Sequence, residues 1–237
     1  SEARIQLSPE QRQAVIDACA NKVFVITGGP GTGKTTITRM VVAALDKLSL
    51  KVKLAAPTGR AAKRLSEATG HPAATLHRLL QSTPDGSFAV CEDNKLKADA
   101  LLVDEVSMLD ARLCGHMLRA LPFTSRLILV GDADQLPSVG AGNVLEDVLG
   151  SQSVGSARLT HIFRQARESM IVVNAHRVNH GQFPLPADKK PPEADFFWVE
   201  QDDPAIVRDL IAALVAERIP EVYGLDPMRD VQVLSPM

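Results

Sequence analysis

The stretch Gly28-Gly29-Pro30-Gly31-Thr32-Gly33-Lys34-Thr35 constrains this chain more than any other. An apolar run, Val23-Phe24-Val25-Ile26, leads into it, and a helical pattern through Met40, Val41, Ala44 and Leu45 follows. Strand, glycine-rich loop and helix are the context of a phosphate-binding loop. Glycines let backbone N–H groups approach a polyphosphate closely, and the helix N-terminus adds the positive end of its dipole. Lys34 is placed to reach the β- and γ-phosphates, and the Thr35 hydroxyl to hold a magnesium ion that bridges them. Residues Gly29, Pro30, Gly31, Thr32, Gly33, Lys34, Thr35 and Thr36 are the expected binding loop for a nucleoside triphosphate.

Further short apolar runs alternate with helical patterns. Val52–Ala56, Ala100–Val103 and Arg126–Val130 read as buried strands, and helices are expected from Arg60 and over Ala111–Leu121. Such alternation predicts an α/β fold, a parallel sheet with helices on both faces, whose ligands sit at the carboxyl ends of the strands. Gly28, Pro57, Asp104 and Gly131 all follow strand ends. Residues 82–99 form a polar insertion with turn signals at Pro84-Asp85-Gly86, and Phe88-Ala89-Val90 is expected as one arm of a small hairpin there. Later, helices are expected over Ser169–Asn179 and Pro204–Arg218, a Pro- and Lys-rich loop over Pro184–Glu193, and strands over Phe196–Val199 and Val231–Leu234.

Chemistry concentrates at those strand ends. Asp104 and Glu105 offer one carboxylate to hold magnesium and a second to activate an attacking water. Gln135, in Gly131-Asp132-Ala133-Asp134-Gln135, is a candidate contact to the γ-phosphate or its water. Arg164 is a candidate charge-stabilising cation. Ser8-Pro9-Glu10-Gln11 suits a helix start, and Gln11 reads equally as a capping residue or as an amide for the adenine edge. His176 and His180 stand one helical turn apart without the third ligand or the intervening Glu of a zinc site.

Composition sets limits. A net charge of −2 provides no global basic field, so any nucleic-acid contact must be local. Cys19, Cys91 and Cys114 lack metal-ligand spacing and fit a reducing compartment. No apolar run is long enough to span a bilayer, and a cytoplasmic protein without membrane contact is expected. The chain ends as a strand would lead into a loop, from which a longer protein is expected.

The motifs together resemble a superfamily 1 DNA helicase, most closely the RecD-like group, the exodeoxyribonuclease V alpha-subunit family. The residues that carry this are Leu7–Gln11, Gly28–Thr36, Ala56–Ala62, Thr75–Leu80, Leu102–Glu105, Val130–Pro137 and Phe163-Arg164-Gln165. The resemblance implies a RecA-like P-loop NTPase motor domain over 1–225, with the 82–99 insertion as a small subdomain, and the start of a second RecA-like domain over 226–237. It implies ATP and Mg2+ as cofactors, with Gln11 on adenine, Thr35 and Asp104 on the metal, and Lys34, Glu105, Gln135 and Arg164 in hydrolysis and its coupling to movement. It implies that Pro57, Thr58, Gly59, Arg60, Thr75 and His77 touch single-stranded DNA. Relatives move 5′ to 3′ in recombination and repair, some inside a nuclease complex and some alone. ATP in such motors lies between two domains, so this piece by itself is expected to be weakly active or inactive. The competing reading is a regulatory NTPase that switches a protein partner and needs no DNA loop.

Overall fold

The computed structural model describes residues 7–163, 168–186 and 193–235. The chain divides into two compact units, Ser1–Phe163 and Arg164–Met237. The division falls after Phe163, whereas the sequence placed a single motor domain up to residue 225.

The first unit is built on a six-stranded sheet, β1 (Val23–Gly28), β2 (Val52–Ala56), β3 (Ala73–Thr75), β4 (Ala100–Val103), β5 (Arg126–Gly131) and β6 (Gly155–Leu159), in the order β3-β2-β4-β5-β1-β6. Every pairing is parallel, for instance Val23↔Leu127 through Thr27↔Gly131. Its helices are α1 (Pro9–Ala20), α2 (Lys34–Lys47), α3 (Gly59–Thr69), α4 (Leu76–Leu79), α5 (Ala111–Ala120) and α6 (Val144–Ser151).

Side chains alternate across a strand, so each strand feeds two cores. Phe24, Ile26, Leu102, Ile128 and Val130 pack with Ala14 and Ala18 of α1, Ile37, Val41 and Leu45 of α2, and Leu65 of α3. Val25, Leu101, Val103, Leu127 and Leu129 pack with Leu113 and Met117 of α5 and Leu145 of α6. Burial on both faces is why the central strands read as unbroken apolar runs. Strands β3 and β6 lie at the two edges, are made largely of small residues, and carry no such run.

Residues 82–99 do not form a two-stranded hairpin. One antiparallel bridge, Ser82↔Phe88, closes a turn around Asp85 and Gly86, and Val90, Leu96 and Ala98 are buried in the α5 core. The insertion is thus part of the sheet domain's packing.

In the second unit, α7 (Met170–Asn179) begins at Ser169, whose hydroxyl accepts from the Val172 N–H. α8 (Pro204–Ala213) runs through a π turn, Leu214–Arg218, into α9 (Ile219–Tyr223) and stops at Gly224 in the left-handed region. The strands expected over 196–199 and 231–234 are not formed: both segments lack regular secondary structure, and Trp198, Val199 and Leu234 are exposed. Residues of high strand propensity still need a partner to make a ladder. This unit is tied instead by polar clamps. Asn174 Nδ2 donates to the Leu185 carbonyl at 2.9 Å, and its Oδ1 accepts from the Leu185 N–H at 2.7 Å.

Leu102 is fully buried at the middle of β4. Leu102→Ala is expected to lower stability by about 2–5 kcal/mol, measured by urea unfolding. A loss under about 1 kcal/mol would contradict the packing described.

Candidate active site

Parallel pairing brings every strand's carboxyl end to one edge of the sheet. The glycine loop follows β1, Pro57–Arg60 follow β2, Thr75 ends β3, Asp104-Glu105 follow β4, Asp132–Gln135 follow β5, and Phe163 lies just beyond β6.

The loop is laced to its neighbours. Gly33 begins α2 with φ +84°, and a Cβ there would lie 2.6 Å from Gln11 Nε2 and 3.0 Å from the Phe163 ring. Only glycine fits both the backbone angle and this contact. Thr32 Oγ1 donates to the Gly29 carbonyl at 2.8 Å, and the Phe163 N–H donates to the Gly31 carbonyl at 3.2 Å. Gln11 is 2% exposed. Its Oε1 accepts from the Ser8 N–H while its own N–H donates to Ser8 Oγ, a complete capping box. Its Nε2 donates to the Thr32 carbonyl at 3.2 Å, so the capping residue also braces the loop.

Lys34 is folded back on that loop. Its Nζ donates to the carbonyls of Gly28 and, at 3.2 Å, Gly29, and stands 3.6 Å from Asp132 Oδ2. Asp132 is 2% exposed and accepts from the Asp134 N–H at 3.1 Å and from Gln135 Nε2 at 3.3 Å. A carboxylate this deep needs a cation and hydrogen bonds, and here it has both. Sequence reading placed Asp132 only in a polar cluster. Its position directly after an apolar strand, three residues before Gln135, was the available signal.

Asp104 and Glu105 stand at the end of β4. The Asp104 N–H donates to the Ala55 carbonyl, and Asp104 Oδ1 accepts from the Glu105 N–H, each at 2.9 Å. Burial drives the Asp104 carboxyl up from its ordinary 3.8 to about 6, with the Glu105 charge adding and the Glu105 N–H and Lys34 opposing. Glu105 itself sits in the left-handed region, φ +54° and ψ +43°, which costs a non-glycine residue about 1 kcal/mol or more. A short 3-10 turn, Val106–Met108, then packs on Gly131, where a Cβ would lie 2.9 Å from Leu145 and 3.3 Å from the Ser107 nitrogen. Glycine at 131 therefore lets the β4 and β5 ends close together. Thr35 and Asp104 offer the hard oxygens that magnesium prefers. No group of three or more His, Cys, Asp or Glu gathers among the described residues, His176 and His180 included.

One cavity of about 390 Å3 joins Thr35, Asp104, Glu105 and Gln135 to Thr58 and Arg60. Thr58 caps α3, its hydroxyl accepting from the Ala61 N–H at 3.2 Å. Thr75 caps α4 in the same way through the Arg78 N–H. His77 is exposed and lies apart from that cavity, its ring 5.9 Å from Phe88, which is in turn 4.8 Å from His116. Arg164 lies outside the described residues.

A phosphate cradle after the first strand and an acidic pair on another strand end, in an all-parallel sheet, define a RecA-like P-loop NTPase fold. The AAA domain family model matches residues 11–141, over half of the chain, and the chain belongs to that family. The ATP-dependent RecD2 DNA helicase of Deinococcus radiodurans is 43% identical over 188 residues, which cover 79% of this chain and 26% of that protein. The RecBCD enzyme subunit RecD of Mycolicibacterium smegmatis is 42% identical over 185 residues, 66% of this chain and 33% of that one. The chain thus spans about a quarter to a third of the length of these curated relatives. Among solved structures, the Pif1 helicase of Candida albicans aligns with a TM-score of 0.56 at 23% identity, over 76% of this chain and 45% of that one. The Bacteroides Pif1 bound to ssDNA gives 0.53 at 21%, over 90% and 57%. At these identities the likeness to Pif1 is one of fold.

The raised Asp104 carboxyl has a consequence for stability. Its protonated form is favoured in the folded state, so its contribution is complete below about pH 4 and lost as pH rises through about 6. In metal-free buffer, Asp104→Asn is expected to remove that part of the pH dependence, on the order of 2–3 kcal/mol. Denaturant unfolding from pH 4 to 7 checks this, and parallel curves for the two proteins would refute it.

Proposed function

We propose that this chain is the ATP-binding and ATP-hydrolysing part of a DNA helicase or translocase that acts on single-stranded DNA, 5′ to 3′, in recombination and repair. The observation that carries the reading is the shared cavity: Thr58 and Arg60, from the loop assigned to DNA, line the same walls as Thr35, Asp104 and Glu105. A nucleotide switch without a nucleic-acid track has no use for that juxtaposition.

In this reading the loop from Gly29 to Thr36 presents its N–H groups to the phosphates of ATP, and Lys34 exchanges the Gly28 and Gly29 carbonyls and Asp132 for phosphate oxygens. Thr35 and Asp104 hold magnesium, which neutralises charge on the phosphates when bound. Glu105 takes the proton of the attacking water. Gln135, tethered to Asp132, orients that water, and Arg164 supplies positive charge to the transition state. Gln11 has one N–H of its amide engaged by Thr32, which leaves the other for adenine. Pro57, Thr58, Gly59, Arg60, Thr75 and His77 hold the DNA strand, largely by its backbone, so binding weakens with salt.

The relatives' greater length supports a motor completed by a second RecA-like domain, toward which residues 226–237 lead. The Deinococcus relative is described as a DNA helicase and the mycobacterial one as a subunit of RecBCD enzyme. Partner subunits of a nuclease complex are therefore proposed alongside single-stranded DNA. No helix among the described residues is long and apolar enough to cross a membrane, which accords with work in the cytoplasm.

The test is ATP hydrolysis by the protein at the full length of its relatives, with and without single-stranded DNA. DNA is expected to stimulate turnover at least about tenfold, roughly 1.4 kcal/mol off the activation barrier. Lys34→Ala is expected to abolish turnover and His77→Ala to lower the stimulation. Turnover indifferent to DNA would favour the partner-controlled switch.

A further inference from the structure

The cavity beside Asp104 and Glu105 does not end at the catalytic carboxylates. It continues along the first two turns of α3, where Arg60 and Arg64 share its wall with Thr38 of α2. We propose that this end of the cavity is a subsite for orthophosphate, which receives the product of hydrolysis before release, with Arg64 and Thr38 as its binding groups. The proposal rests on the reading of the glycine loop as an ATP site.

Several independent features converge there. Thr38 is 2% exposed, and its hydroxyl has no hydrogen-bond partner. Buried hydroxyls are normally satisfied, so an orphan on a cavity wall marks a place for a polar guest. Arg64 makes no ion pair among the described residues. Arg60 and Arg64 are four residues apart on one helix and so lie on one face. The N-terminus of α3, an eleven-residue helix, adds its positive dipole end to the same wall. The volume, about 390 Å3, is many times the roughly 30 Å3 share of a water molecule. On the nucleotide side, the walls are Thr35, Asp104, Glu105 and Gln135, the groups that would surround the cleaved phosphoryl. A phosphate freed there meets two carboxylates on one side and two guanidiniums on the other. The field favours its movement toward α3 and away from ADP. A phosphodiester of the DNA backbone has the same anionic chemistry, and the experiment separates the two sources.

The experiment uses the whole chain and a fluorescent ADP analogue with magnesium. Binding of the analogue, lost in Lys34→Ala, tests the nucleotide reading by itself. Orthophosphate is then titrated into the analogue complex and followed by phosphorus NMR line width. Saturable binding is expected, weakened roughly tenfold or more by Arg64→Ala and by Thr38→Val, and partly restored by Arg64→Lys. If the analogue binds but orthophosphate does not saturate, or saturates equally in Arg64→Ala and Thr38→Val, the subsite is overturned while the nucleotide reading stands. If the analogue does not bind, both fall. If a short single-stranded oligonucleotide displaces orthophosphate and its own affinity drops equally in Arg64→Ala, the subsite belongs to DNA and the product assignment is overturned.

Discussion

The parallel pairing of all six strands is the constraint on which the rest of this structure depends. Parallel strands need crossover connections, and in this fold the helices of those connections cover both faces of the sheet. The amino ends and carboxyl ends of the strands are thereby sorted to opposite edges. Every loop that leaves a carboxyl end then emerges beside its neighbours, however distant in sequence. Residues 28–36, 57–60, 104–105 and 132–135 meet for this reason alone. The cores do not select these polar residues. They fix the strand register to which the residues are attached, as the β1–β5 pairing does for Thr27 and Gly131.

At that edge, polar groups are held by one another in a definite order. Lys34 is retained by two loop carbonyls and by Asp132, and Asp132 also retains Gln135. A buried ion pair of this kind contributes little net stability, because desolvation offsets much of the attraction. Its value is positional. Any anion that draws Lys34 outward must compete with Asp132, and Asp132 then loses a partner while still holding Gln135. Lysine and glutamine are therefore mechanically linked through Asp132. Glu105, held in the left-handed region beside the raised carboxyl of Asp104, adds a second point where local strain and burial are tolerated at the same edge.

The sequence was informative where burial is two-sided. β1, β2, β4 and β5 announced themselves as apolar runs, and the glycine loop was unmistakable between β1 and α2. β3 and β6 were missed as strands because an edge strand rich in Ala, Gly and Ser pairs through its backbone and leaves little side-chain pattern. The opposite error, at 196–199 and 231–234, came from aromatic and β-branched residues that favour strands but have no neighbouring strand among the described residues. The hairpin expected at 82–99 reduced to one bridge because Val90, Leu96 and Ala98 are drawn into the α5 core. At the site, the capping role of Gln11 was legible from Ser8 and Pro9, but its brace to the Thr32 carbonyl was not, since that contact spans twenty-one positions. Asp132 was overlooked because its partner Lys34 is remote in sequence and adjacent only through β1–β5 pairing.

Helix α3 gives the arrangement its directional character. Its cap, Thr58, belongs to the loop assigned to DNA, while Arg60 and Arg64 line the cavity that begins at Thr35 and Asp104. A change at either end of this short element must be felt at the other, because the helix is rigid on the scale of two turns and Leu65 anchors it in the core. Coupling of this kind is reciprocal: if strand contact at the Thr58 cap alters the cavity's hold on phosphate, phosphate in the cavity alters the hold on the strand by the same factor. In the proposed motor that symmetry has to be broken in time, which departure of a product would do. In the proposed reading, departure of phosphate would return the Arg64 side chain to water on the same helix whose cap, Thr58, is assigned to DNA. On that reading the proposed phosphate and DNA contacts share one short helix. No longer path through the sheet is required.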